Sequence, residues 1–292
     1  MRLHLTAVAV VVCLLAAGQA RAELIYTSNG STISRFDSGS LGVVTTVPVS
    51  GLSVGETLVG IDVRPASPGT LYGVGSTSRV YTINPLTGLA TAVGPSGQFT
   101  LNGTAFGTDF NPVADRIREV SNTEQSLRLN PNDGALAATD TALNPAGNIV
   151  GVAYSNNFPG ATVTTLYAID SAAGTLNLIG SVNGSPNSPN GGAVTTVGSL
   201  GLGTNLNEAI GFDISGQSGI AFASITTGGI SRLYNLNLST GAATLTSSNG
   251  GAIGTGTTPF LGLAAAGAPE PSGLAFMGGG ALLLIRRRRA HA

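Results

Sequence analysis

Residues 80–94 read Val80-Tyr81-Thr82-Ile83-Asn84-Pro85-Leu86-Thr87-Gly88-Leu89-Ala90-Thr91-Ala92-Val93-Gly94. Two short runs of β-branched and alternating residues flank a turn that opens at Asn84 and closes at Gly88. Such runs suit a pleated, half-buried strand. Asn and Pro start the turn, and Gly supplies the backbone conformation that ends it. The hairpin recurs at 127–137 (turn Asn130 to Gly134), 166–180 (Asp170 to Gly174) and 233–245 (Asn237 to Gly241). A looser copy lies at 34–47, with its turn between Asp37 and Gly42.

Working outward, a second element precedes these hairpins: an apolar residue, a glycine, then a short alternating strand. It appears at 58–63, 106–110, 150–154, 210–214 and 261–264, with its glycine at Gly60, Gly107, Gly151, Gly211 and Gly262. The intervals between these glycines are 47, 44, 60 and 51 residues. A further strand follows at 71–74, 117–120 and 220–223, and less clearly near 162–164. Four strands per unit at a period of roughly 40–50 residues read as propeller blades. The chain enters the repeat at a second strand, and the fifth Gly strand stands alone at the end. Joined, they complete one blade and remove two open sheet edges. The expectation is therefore an all-β, five-bladed β-propeller-like ring of four-stranded antiparallel blades, the first closed by both ends of the domain. The long interval contains 181–208, rich in Gly, Ser, Asn and Pro, which reads as an extended surface loop.

The two ends carry a destination. Met1-Arg2, an apolar run at 5–17 and Ala20-Arg21-Ala22 form a secretory signal peptide, with cleavage at Ala20 and Ala22 before Glu23. The run is shorter than the roughly 20 residues a spanning helix needs. At the other end Pro269-Glu270-Pro271 precedes an uncharged segment, 272–285, and then Arg286, Arg287, Arg288 and Arg289. An apolar transmembrane segment closed by a basic cluster is a stop-transfer pattern. This tail resembles the PEP-CTERM sorting signal of Gram-negative bacteria. The resemblance implies an exosortase-type enzyme as partner, transient inner-membrane contact through the C-terminal segment, delivery to the cell surface or extracellular matrix, and association with exopolysaccharide or surface proteins. The expected division is thus 1–22 signal peptide, 23–268 propeller-like domain and 269–292 sorting tail.

Between these ends the composition excludes whole classes of chemistry. Residues 23–268 contain no Cys, His, Lys or Trp; the only cysteine is Cys13 and the only histidines are His4 and His291. Ser-His-Asp triads, cysteine nucleophiles, Schiff-base lysines and the usual zinc sites are all absent from such a domain. Seven arginines face thirteen acidic residues there, a net of −6 against −1 for the full chain. An acidic domain without a basic stripe is a poor nucleic-acid partner.

A carboxylate mechanism is what remains. Asp62, Asp109 and Asp213 each stand two residues after the glycine of a Gly strand; Ala153 and Ala264 hold the matching places in the other two units. If these strands line the axis, the three carboxylates converge. They are the candidates for a general acid/base pair, or for a Ca²⁺ site of oxygen ligands; no other cofactor is expected. The plainer reading, which we favour, is that each Asp hydrogen-bonds backbone groups at a strand end, since buried polar groups must be satisfied. Asp109, Asn111 and Asp115 miss the EF-hand spacing and are better read as a turn network with Arg116. Arg64, Arg116, Arg118 and Arg128 are an anion grip or, as we prefer, partners of Asp115, Glu119 and Glu124.

The charged stretch 111–121, continuing to Leu127-Arg128-Leu129-Asn130-Pro131, resembles the signature region of the bacterial domain-of-unknown-function family 4394. The resemblance runs over most of 60–265 and implies a secreted β-repeat domain without an assigned activity. The leading expectation is a non-catalytic surface or matrix module; the alternative is a carboxylate-dependent glycan-cleaving enzyme that uses Asp62, Asp109 or Asp213.

Overall fold

The computed structural model describes residues 22–266. The expected signal peptide and sorting tail, apart from Ala22, lie outside them, as do the segment 272–285 and Arg286 to Arg289. Among the described residues no helix is long and apolar enough to cross a membrane.

Twenty strands make five four-stranded antiparallel sheets, so the chain forms a five-bladed β-propeller. The second blade is the simplest: β4 (Leu58–Val63), β5 (Leu71–Gly75), β6 (Arg79–Ile83) and β7 (Ala90–Val93) pair in chain order. The third comprises β8 (Phe106–Asn111), β9 (Arg116–Ser121), β10 (Ser126–Leu129) and β11 (Leu136–Thr139). The fourth comprises β12 (Ile149–Tyr154), β13 (Leu166–Asp170), β14 (Thr175–Ile179) and β15 (Val194–Ser199). The fifth comprises β16 (Gly211–Ile214), β17 (Ala221–Thr227), β18 (Ile230–Leu236) and β19 (Ala243–Leu245). The first blade closes the ring: β20 (Gly262–Ala265) pairs with β1 (Leu24–Ser28), followed by β2 (Thr32–Asp37) and β3 (Thr45–Pro48). The repeat phase therefore marks the closing blade correctly.

The fourth blade departs from the sequence reading. The hairpin 166–180 supplies its second and third strands, not its outer pair, and 162–164 is not a strand. The outer strand β15 lies inside 181–208, the stretch expected to be loop. An outer strand packs on one edge only, so β15 is largely exposed and shows no apolar alternation to find.

Every interface between blades holds its own apolar cluster. Tyr72, Val74 and Val80 meet Phe110, Ile117, Leu127 and Leu129 across one seam. Ile25, Phe36 and Leu263 meet Phe222 and Leu233 across another. Strands near the axis are covered on both faces, and all six residues of β12 are buried. This explains their near-continuous apolar runs, and it is how a domain without disulfides gains a sufficient core.

The glycines of the Gly strands are required by space. β4, β8, β12, β16 and β20 are the inner strands, each packed on the next around the axis. A Cβ on Gly107 would stand 2.8 Å from Val152 N, and one on Gly211 would stand 2.7 Å from Gly262 C. One on Gly262 would stand 2.8 Å from Ile61 N. Five inner strands make a narrow ring, and only a missing side chain lets neighbouring backbones come this close. In the hairpin turns glycine has a second reason. Gly88 has φ +75°, and a Cβ there would stand 1.9 Å from Pro48 O of the preceding blade.

Candidate functional site

The position two residues after each inner glycine points toward the axis, near the C-terminal ends of the inner strands. Asp62, Asp109 and Asp213 occupy it in three blades, and each can offer an oxygen within 4.8 Å of the others. All three are 0–1 % exposed. The Gly strands do line the axis, which is the condition under which the sequence reading has these three converge, although their spacing along the chain gives no distance.

Their partners are backbone amides, and the pattern follows from which blades carry an Asp. Each carboxylate accepts from the next blade: Phe110 N–H donates to Asp62 Oδ2 (2.7 Å), Tyr154 N–H to Asp109 Oδ2 (2.8 Å) and Ala265 N–H to Asp213 Oδ2 (2.7 Å). Two inward N–H groups remain, on Val63 and Ile214, because the preceding blades carry Ala264 and Ala153. Asp62 Oδ1 accepts from Val63 N–H (2.7 Å) and Asp213 Oδ1 from Ile214 N–H (2.6 Å). Three carboxylates therefore satisfy one N–H from every blade. Asp109 has no second amide to take, since Phe110 N–H is held by Asp62, and its Oδ1 is buried without a donor. Asn157 Nδ2 also donates to Asp213 Oδ1 (3.3 Å), a contact that no sequence feature announces.

Burial pushes all three carboxyls up. Asp62 is raised well above the ordinary range by burial and then by the charge of Asp213, against the N–H groups of Phe110 and Val63. Asp109 is raised by burial and then by the charges of Asp62 and Asp213. Asp213 is raised by burial to about 6, with the N–H groups of Ala265 and Ile214 acting against the rise.

A pocket of about 580 Å³ opens where the inner strands end. Its floor includes Val63 and Ala265, the amide partners of Asp62 and Asp213, and its walls include Tyr26, Arg64, Pro65, Asn157, Phe158 and Gln217. Phe158 is 43 % exposed there. Apolar surface with a few amide and guanidinium groups is the usual make-up of a ligand site.

Arg64, Arg116, Arg118 and Arg128 are engaged within the protein. Arg64 pairs with Asp115, with Nε 2.8 Å from Oδ1. Arg118, 1 % exposed, contacts Asp140, Ser126 Oγ (2.9 Å), Asn190 Oδ1 (2.6 Å) and Tyr154 OH (3.2 Å). Arg128 pairs with Asp140 at 2.8 Å. Asp140, which the sequence reading passes over, replaces Glu119 and Glu124 as the acidic partner. Arg116 donates to the carbonyl of Asp115. Asn111 Oδ1 accepts from Val113 and Ala114 N–H, so 111–115 is a turn network as expected, with Arg64 holding its Asp.

Three further carboxylates are buried, Glu23, Glu56 and Glu119, of which the sequence reading gives a role only to Glu119, as an arginine partner. Glu119 accepts from Thr108 Oγ1 (2.7 Å), leaves Oε1 without a donor, and is pushed by burial up to about 8. Burial alone would raise Glu56 too, but donors from Thr77, Tyr81 and the amides of Ser53 and Thr77 outweigh it and hold its carboxyl below the ordinary value.

Among solved structures, the chain is similar to a structural genomics protein of unknown function from Bacteroides thetaiotaomicron, at 15 % identity and TM-score 0.47, over 76 % of this chain and 54 % of that one. It is also similar to PorZ of Porphyromonas gingivalis, a bacterial surface component of the type-IX secretion system, at 15 % identity and TM-score 0.39, over 78 % and 29 %. A third is the Dos1 propeller, at 11 % identity and TM-score 0.42, over 77 % and 62 %. The chain thus spans about half the length of the first and less than two thirds of the others. No curated protein matches the chain. A family model matches residues 32–264, and the chain belongs to the family described as a domain of unknown function, DUF4394.

Proposed function

We propose that this protein is an exported, non-catalytic binding module of the cell surface or extracellular matrix, associated with exopolysaccharide or surface proteins. The observation that carries the reading is the amide ring. Five of the six oxygens of Asp62, Asp109 and Asp213 accept backbone N–H groups, one from each blade. Carboxylates committed in this way hold a ring closed, and the one oxygen left over, Asp109 Oδ1, is buried on a residue that is 0 % exposed, whereas a general base must reach the substrate proton. Recognition then falls to the pocket above them, where Tyr26 and the 43 % exposed Phe158 contribute aromatic rings to the lining. The address is carried by the signal peptide and by the tail from Pro269-Glu270-Pro271 to the four terminal arginines, which an exosortase-type enzyme would process after transient insertion in the inner membrane.

The second reading, a glycan-cleaving enzyme, is favoured by one observation: the three carboxylates converge beneath a pocket. Glycosidase carboxyls stand about 5–9.5 Å apart on either side of the scissile bond. Here one oxygen of each carboxylate lies within 4.8 Å of the others and all three groups are buried, with no room shown between them for a scissile bond. The test is co-sedimentation of the purified protein with the exopolysaccharide of the source organism, with released reducing ends counted in the same tubes. Binding without release, weakened by Phe158→Ala, is expected. Release that disappears in Asp109→Asn would establish the enzyme instead, and neither binding nor release would remove polysaccharide as the partner.

A further inference from the structure

We propose that the axial carboxylate cluster is a cation site, and that it takes Ca²⁺. The donor set is oxygen only: three carboxylates from three blades, in a domain with no Cys or His. Oxygen ligands without nitrogen or sulfur select hard cations. The spacing fits. Ca²⁺ binds oxygen at about 2.3–2.6 Å, so two oxygens on one ion lie at most about 4.6–5.2 Å apart by the same distances. The three carboxylates offer ligand atoms within 4.8 Å of one another.

Two observations besides the acidity point to a ligand. Asp109 Oδ1 is an acceptor without a donor on a residue that is 0 % exposed. The amide count explains why: five inward N–H groups serve six oxygens, and the blade order leaves the shortage at Asp109. Asn157 adds a neutral oxygen beside the cluster. Its Nδ2 donates to Asp213, and its Oδ1 is buried without a donor. Asn157 also lines the pocket, so it stands between the cluster and the pocket.

Charge gives the same answer. No arginine is hydrogen-bonded to Asp62, Asp109 or Asp213 among the contacts described above. Three buried carboxylates need compensation, and the N–H dipoles supply only part of it. A divalent ion at the shared centre supplies the rest and ties three blades together. Mg²⁺ fits less well, because it demands near-ideal octahedral geometry at about 2.0–2.1 Å and gives up its waters reluctantly.

The experiment is metal content and melting temperature of the purified protein. It is stripped with EGTA, then dialysed against about 1 mM Ca²⁺, the weak end of extracellular Ca²⁺ affinities, or against Mg²⁺. One Ca²⁺ per chain is expected, with a higher melting temperature in Ca²⁺ than in EGTA and a smaller change in Mg²⁺. Asp109→Asn, which keeps the shape and the Tyr154 N–H acceptor, is expected to lose the ion and the temperature difference. Asp133→Asn, in an exposed hairpin turn, is expected to keep both. If Asp109→Asn fails to fold, Tb³⁺ luminescence of the wild-type protein, competed by Ca²⁺, decides. Failure to retain Ca²⁺, no competition, or an Asp109→Asn protein that still binds would overturn the site and leave a shared proton as the compensator. A protein that binds polysaccharide but no Ca²⁺ would keep the function proposed above and lose only this site.

Discussion

Replacing Gly107 by alanine tests the ring directly. The new methyl would stand 2.8 Å from Val152 N and 2.9 Å from Gly151 C, both backbone atoms of the next inner strand. Ordinary carbon contacts lie at about 3.5–4.0 Å, so the seam must open by roughly 0.7 Å on the same scale. No side chain can rotate away, and in a closed ring the displacement is passed to the other four seams. Overpacking of this kind costs about 1–3 kcal/mol, while losing a glycine from the unfolded chain returns about 0.4–1 kcal/mol. The expected net is a destabilisation of about 1–2 kcal/mol, which in a domain of this size lowers the melting temperature by roughly 2–8 °C. Gly211→Ala, whose methyl meets Gly262 C and Leu263 N at 2.7 Å, should match it. Gly151→Ala should be milder, because its nearest atom is Phe212 Cβ at 3.2 Å. Gly191→Ala is the control, with nothing within 4 Å. Thermal and urea melts of the four variants decide. If Gly107→Ala and Gly211→Ala melt with Gly191→Ala, the inner glycines are not there for close approach and the packing argument fails.

Glu119 is held at about 8 by burial against an ordinary 4.5, so the folded protein keeps this proton more tightly than the unfolded chain does. Its contribution is complete below pH 4.5 and is lost as pH rises through 8, at about 1.4 kcal/mol per pH unit between those values. Glu119→Gln should therefore gain on the wild type as pH rises from 5 to 8; a constant difference in urea midpoints across that range would refute the assignment. Glu56 has the opposite sign: its carboxyl is held below the ordinary value, so its contribution is present above pH 4.5 and is lost as pH falls below it. Glu56→Gln should cost more at pH 7 than at pH 3, and an equal cost at both would contradict the hydrogen-bond account. Arg118→Met leaves Asn190 Oδ1 without its guanidinium donor and Asp140 with Arg128 alone, and should cost about 3–5 kcal/mol. Arg128→Met, at a side chain 30 % exposed, should cost about 1 kcal/mol or less; similar losses for the two would show that burial does not set the worth of this cluster.

The sequence by itself determined the blade count, the strand order in four blades and the seam where the ring closes. These follow from local chemistry: Asn and Asp turn starts, Gly turn ends, and inner strands apolar on both faces. It also brought Asp62, Asp109 and Asp213 to one position of the repeat, because equivalent residues in a closed ring must face the same axis. It could not find β15, whose exposed residues carry no alternation, nor Asn157 and Asp140, and it gave Glu119 an arginine where the fold gives it Thr108, because these partners come from other strands and loops. Nor could it say what the three aspartates do. That depends on five backbone amides, on alanines at 153 and 264, and on one oxygen left over at Asp109. Hydrogen bonds between blades are a property of the closed ring, so only the tertiary structure decided how these carboxylates are held.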